Sequence, residues 1–256
     1  MTPIKLIVTD LDMTLLRTDK SLSDYTKRVF ARCAEQGILT AVATARYNIG
    51  AQPYIAALNP DYEITTDGTM VYCKGEFLFG DGFNLATTNH IIGEVKRLNP
   101  ASEMTVATDA CVYWNSPNIA ASPVLHKAIY NDYSRPLAAC AYKIVAEFDE
   151  AVMAQRIGAA CGCRVVTYWG ENRYGFIHAQ AGKLRALQRL AAHLGVEMGA
   201  IVAFGDDTSD IDMLSACGQG IAVANATPAV KAIADAVCEA NDEDGVARYI
   251  EDAILG

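Results

Sequence analysis

No stretch of this sequence is long and apolar enough to cross a bilayer, no cluster of Lys and Arg marks a nucleic-acid surface, and no two cysteine pairs stand at zinc-ribbon spacing. Each absence removes a class of function. The N-terminal apolar run, Ile4 to Val8, falls far short of a signal-peptide core and of the ~20 residues that span a membrane. A cytoplasmic protein without membrane association is expected. Lys and Arg number 21 against 30 Asp and Glu, a formal charge of -9, which excludes a protein that grips nucleic-acid backbones. The same deficit repels phosphorylated ligands, so any phosphate chemistry needs a metal ion or a local cation. Eight cysteines are scattered through a chain too large to need staples and read as free thiols in a reducing compartment. Cys161 and Cys163 stand one residue apart with no second pair nearby, and His90, His126 and His193 are dispersed, so no zinc site is indicated.

What is present is an ordinary soluble composition, 52% hydrophobic and 20% charged over 256 residues, enough for a core plus a second unit. No internal repeat or low-complexity linker interrupts it. Ile4 to Thr9 predicts a buried strand that stops at Asp10-Leu11-Asp12. A helix follows over Ser21 to Gln36, with Ser23 as N-cap and Gly37 as stop. A second buried strand, Ile38 to Ala43, ends in Thr44-Ala45-Arg46. A helix over Asn48 to Leu58, a strand over Tyr62 to Thr66 and a turn at Asp67-Gly68 come next. This alternation implies a parallel sheet with right-handed crossovers.

After Gly82 the rhythm changes. Helical stretches over Thr88 to Arg97 and Asp149 to Ala160 interleave with strand-like runs at Thr105 to Ala107, Tyr142 to Val145 and Arg164 to Tyr168. The α/β rhythm returns at Lys183, with a strand over Ala200 to Phe204 leading into Gly205-Asp206-Asp207 and another over Gly220 to Val223. The expected organisation is a Rossmann-like core over residues 1–82 and 182–256, split by an inserted α/β cap over residues 83–181.

In an open parallel sheet, ligands gather at the carboxyl ends of the strands. Three such ends here are polar: Asp10 to Thr14, Thr44 to Arg46, and Gly205 to Asp210. Carboxylates brought from separate strands to one edge repel one another, and a hard divalent cation relieves this most simply. Magnesium suits such a site, because it takes few protein carboxylates and completes its shell with water and phosphate oxygens.

Asp10-Leu11-Asp12-Met13-Thr14-Leu15-Leu16, Thr44-Ala45-Arg46, Lys183 and Gly205-Asp206-Asp207-Thr208-Ser209-Asp210 together resemble the four ordered motifs of the haloacid dehalogenase superfamily. Ala222 to Ala226 and Asn241 to Ala247 resemble the C-terminal signature of its Cof-type members, subclass IIB, which carry an α/β (C2B-type) cap between the second and third motifs. The resemblance implies a magnesium-dependent phosphatase acting on a small phosphorylated metabolite. It makes Asp10 the nucleophile and Asp12 the acid/base, with Asp12 also ligating the metal through its backbone carbonyl. Asp206 completes the protein's metal ligands. Thr44 bonds a phosphate oxygen, and Lys183 neutralises the phosphoryl group and restrains Asp10. Leu11, Thr14, Ala45, Arg46, Asp207, Ser209 and Asp210 support the phosphate and the ligands from behind.

The sequence departs from the family pattern at Met13, Ala45 and Leu184, where Gly is usual, and at Asp67 and Ser209, where Asn is more common. None of these removes a catalytic group. Substrate choice is expected from cap residues such as Tyr113, Trp114, Tyr168, Trp169, Asn172 and Arg173. Competing functions are a sugar phosphomutase, which passes the same phosphoryl group to another hydroxyl, and a catalytically weak phosphate sensor. A monomer or weak homo-oligomer is expected.

Overall fold

A computed structural model of the protein describes residues 3–168 and 172–256. The chain divides into two compact units. The first runs to Ala45, resumes over Ala51–Leu78 and closes with Gly182–Gly256; the second comprises Arg46–Gly50 and Phe79–Ala181. Each unit has its own sheet.

In the first, the strands are β1 (Leu6–Thr9), β2 (Leu39–Ala43), β3 (Tyr62–Thr65), β4 (Met70–Cys73) and β5 (Glu76–Gly80). Their helices are α1 (Asp24–Glu35) and α2 (Asn48–Leu58). The Ser23 hydroxyl accepts the Thr26 N–H at the start of α1, which satisfies one of the helix's open donors. The C-terminal segment adds α5 (Lys183–Leu194), β12 (Ile201–Gly205), α6 (Ile211–Ala216), β13 (Gln219–Val223), α7 (Pro228–Ile233), β14 (Ala236–Cys238) and α8 (Gly245–Ile250).

The eight strands lie in the order β14-β13-β12-β1-β2-β3-β4-β5. All pairs from β14 to β3 are parallel. Leu6, Ile7 and Val8 in the central strand and Ile201 to Phe204 beside it have no exposed surface, as a sheet covered on both faces requires. The expected parallel sheet is thus extended by an antiparallel strand, since β4 pairs back on β3 with Thr65 opposite Met70. The reversal is made by Thr66, Asp67 and Gly68, all at positive φ. A turn this tight forbids a crossover helix and leaves only antiparallel return.

The second unit contains α3 (Leu85–Leu98), β6 (Met104–Ala107), β7 (Val112–Trp114), β8 (Ile129–Tyr130), β9 (Lys143–Glu147), α4 (Ala151–Cys161), β10 (Cys163–Thr167) and β11 (Arg173–His178). Its six strands run β10-β11-β9-β6-β7-β8, antiparallel except for β7 with β8. One sheet face supplies Met104, Val106, Ile144, Ala146, Tyr174 and Phe176 to a core closed by Ile91, Ile92, Val95 and Ile157 from the two helices. Among the described residues no helix is long and apolar enough to cross a membrane.

Candidate active site

The central strand and its two neighbours deliver their last residues to one edge. Thr9 lies opposite Val42 of β2 and Phe204 of β12, so Asp10, Thr44 and Asp206 each stand within two residues of three adjacent strand ends. Adjacent strands are ~4.8 Å apart, which puts these groups within reach of one small ligand.

Lys183, the first residue of α5, is buried between two of the carboxylates. Its Nζ donates to Asp10 Oδ1 at 2.7 Å and to Asp210 Oδ1 at 2.6 Å. The other Asp210 oxygen accepts the Asp206 and Asp207 backbone N–H groups at 3.1 and 3.2 Å. Asp210 can fold back this way because Gly205 ends the strand: a Cβ there would lie 2.5 Å from Asp210 Cβ. Thr14 Oγ1 donates to Asp206 Oδ1 at 2.6 Å.

Carboxylate oxygens of Asp10, Asp206 and Asp210 all lie within 4.8 Å of one another. Three carboxylates against one ammonium leave an excess of two negative charges, which matches a divalent cation. Asp210 is committed to Lys183 and two N–H groups, which leaves Asp10 and Asp206 as the two carboxylates that could hold a metal directly. The donor chemistry, all oxygen, fits a hard metal.

The energetic cost of this crowding appears in the protonation equilibria. Burial pushes Asp10 up to about 8; Lys183 opposes the shift and Asp210 adds to it. Burial likewise raises Asp206 to about 6, with the Thr14 bond pulling the other way. For Lys183, burial lowers the pKa, but Asp10 and Asp210 outweigh it and hold the ammonium above its ordinary range.

The remaining predicted residues are placed as follows. Asp12 sits in a non-helical turn (φ -72°, ψ 126°), and its carboxylate pairs with Lys20 at 3.0 Å. Met13 follows at φ 61°, the left-handed region that glycine occupies freely and that costs a larger residue about 1–2 kcal/mol. Thr44 is buried; its N–H donates to the Ile64 carbonyl at 2.8 Å, and its own carbonyl accepts the Asp67 N–H at 3.3 Å. The Leu11 side chain is wholly buried, leaving only its backbone for any ligand. Asp207 and Ser209 are exposed, and Asp207 Oδ1 accepts the Thr208 N–H at 2.6 Å. Ala45 is half-buried and closes one segment of the first unit; Arg46 opens the second and donates to the Gly50 carbonyl at 3.4 Å.

Sequence reasoning missed one support of the cluster and, apart from it, one buried charge of the second unit. Gly68, at φ 79°, packs against the start of α5 so closely that a Cβ would lie 2.3 Å from the Gly182 carbonyl carbon, and this contact seats Lys183. Only the Asp67-Gly68 turn signal hinted at it. In the second unit, Lys143 is buried with its Nζ 4.8 Å from the Tyr47 ring and 4.9 Å from that of Tyr168, and Tyr47 shares a 2.7 Å hydrogen bond with Thr105. A lysine opening the apolar strand Lys-Ile-Val-Ala was the available signal. Of the expected cap residues, Trp114 is buried, Arg173 pairs with Glu147 at 3.2 Å, and Trp169 lies outside the described residues.

A model of the haloacid dehalogenase-like hydrolase family matches residues 7–250. The Bacillus subtilis 5-amino-6-(5-phospho-D-ribitylamino)uracil phosphatase YitU is 26% identical, with 96% of each chain covered. A haloacid dehalogenase-like hydrolase from Bacteroides thetaiotaomicron superposes with a TM-score of 0.81 at 23% identity, over 97% of this chain and 98% of that one. The subclass IIB sugar phosphatase BT4131 superposes with a TM-score of 0.78 at 17% identity, over 96% and 98%.

Proposed function

The chain belongs to the haloacid dehalogenase-like hydrolases, and from that membership and the strand-end cluster we infer a magnesium-dependent phosphatase that hydrolyses small phosphomonoesters through an aspartyl-phosphate on Asp10. The observation that carries this is the buried Asp10–Lys183–Asp210 arrangement beside Asp206. A carboxylate so placed is held rigidly, shielded from water and close to a fixed cation.

Asp10 and Asp206, with the Asp12 carbonyl, would hold Mg2+, which supplies the positive charge the cluster lacks, keeps both carboxylates ionised and draws charge from the phosphoryl group. Asp10 attacks phosphorus through one carboxylate oxygen, forming the new P–O bond as the bond to the substrate oxygen breaks. Asp12, half-exposed in its turn, gives its proton to the departing oxygen and later takes one from the water that attacks the phosphoenzyme. That water adds to phosphorus, inorganic phosphate leaves and Asp10 is restored. Thr44 donates its hydroxyl to a phosphate oxygen, and Lys183 balances the charge that builds on the phosphoryl group.

The names of YitU and BT4131 support a sugar or polyol phosphate, or a related metabolite, as substrate. The test is phosphate release from a panel of phosphorylated metabolites with and without Mg2+. Magnesium-dependent release from several sugar or polyol phosphates is expected. No turnover of any member, or isomerised product without free phosphate, would contradict the assignment.

A further inference from the structure

Two short stretches near the C-terminus have no part in the chemistry above, yet they hold the segment that carries Asp12. Asn225 Nδ2 donates to the Met13 carbonyl at 2.7 Å. Asn225 Oδ1 accepts the Asn241 backbone N–H at 2.9 Å, and the buried Asn241 side chain donates from Nδ2 to the Leu16 carbonyl at 3.0 Å. The next residues are gripped as well: Arg17 reaches Asp244 at 2.7 and 3.3 Å, and Thr18 bonds Asp242 through both N–H and hydroxyl at 2.8 Å.

The clamp falls on a strained peptide. Met13 stands at φ 61°, where a residue with a side chain rests only if its surroundings hold it. Relaxation of Met13 to negative φ would turn its carbonyl and displace the residues on either side. One is Asp12. The other is Thr14, whose hydroxyl bonds Asp206. Each asparagine uses its amide as a donor to a carbonyl, a task no carboxylate performs.

We propose that Asn225 and Asn241 are positioning residues, holding residues 13–16 in the left-handed turn that sets Asp12 for general acid catalysis. This rests on the phosphatase assignment, in which Asp12 protonates the leaving oxygen. Asn225 is exposed, so Asn225→Ala leaves folding intact and its thermal midpoint close to that of the wild type.

The experiment compares kcat/KM for a primary alkyl phosphate and for p-nitrophenyl phosphate, both at saturating Mg2+ so that any displacement of Thr14 from Asp206 does not enter. An alkoxide needs a proton to leave and p-nitrophenolate does not. Asn225→Ala is therefore expected to lower kcat/KM about 10- to 100-fold for the alkyl ester and less than about threefold for the aryl ester. Adding Met13→Gly to Asn225→Ala should recover most of the alkyl activity, because glycine adopts the left-handed conformation without a clamp. Equal losses on both substrates, no loss on either, or no recovery with Met13→Gly would overturn the positioning role. Wild-type protein inactive on both esters would instead overturn the phosphatase assignment, and the positioning role with it.

Discussion

Replacing Lys183 with Met removes the cation that two buried carboxylates share. The Lys183, Asp10 and Asp210 side chains are only 5%, 9% and 1% exposed, so water cannot substitute for the lost charge. Breaking a buried pair in this way costs about 3–5 kcal/mol, chiefly as the penalty of the stranded anion. For a chain of this size each kcal/mol moves the melting midpoint by about 2–4 °C, so Lys183→Met should melt about 6–20 °C below wild type. The assay is calorimetric unfolding with chelator present, so that metal binding does not contribute. Asp210 is the more deeply buried of the two carboxylates and loses its side-chain cation partner. The double variant Lys183→Met, Asp210→Asn keeps an oxygen for the Asp206 and Asp207 N–H groups and should regain at least half the loss. A Lys183→Met midpoint within about 2 °C of wild type, or a double variant no more stable than the single, would mean that Lys183 does not offset the charge of Asp210.

Three other outcomes follow from the same geometry. Asp10 and Asp206, raised by burial to about 8 and about 6, hold protons in the folded protein that the unfolded chain gives up near the ordinary value of 3.8, so metal-free stability falls as pH rises across that window. A divalent ion competes with those protons, and the midpoint increase caused by Mg2+ should grow between about pH 6 and pH 8; an equal or shrinking increase in scanning fluorimetry would contradict it. Thr14→Val deletes the 2.6 Å bond to Asp206 and should raise the Mg2+ concentration for half-maximal activity about 10- to 100-fold, which a metal titration of initial rates measures. Gly68→Ala forces a methyl toward the Gly182 carbonyl carbon at an unfavourable φ, and should cost about 1–3 kcal/mol in denaturant unfolding together with a drop in kcat as Lys183 is unseated.

Elements with strong local signals were legible in the sequence. The β-branched run before Asp10 is β1, the Ser23 cap opens α1, and α2 spans Asn48–Leu58 as expected. Where local signals are weak the reading failed. Met-Val-Tyr-Cys is too short to distinguish from a helical fragment and was missed as β4; β11 was missed because Gly175 interrupts its alternation; β14 is three residues long. Helix α3 begins at Leu85, three residues earlier than expected, because the Asn84 side chain accepts the Thr87 N–H and caps it there. The strand-end carboxylates were visible as a pattern of types at predictable positions. Their supports were not: Thr14 meets Asp206 across 192 residues, Asn225 meets Met13 across 212, and Gly68 acts through having no side chain. Such contacts follow from the assembled sheet and leave no mark on local composition.

In the proposed reaction Asp10 carries the phosphoryl group. Borohydride added during turnover reduces an aspartyl-phosphate to homoserine, which peptide mass spectrometry locates. Conversion of Asp10, dependent on both substrate and Mg2+ and absent in Asp10→Asn, is the expected result. Turnover without conversion of Asp10, or full activity in Asp10→Asn, would contradict it.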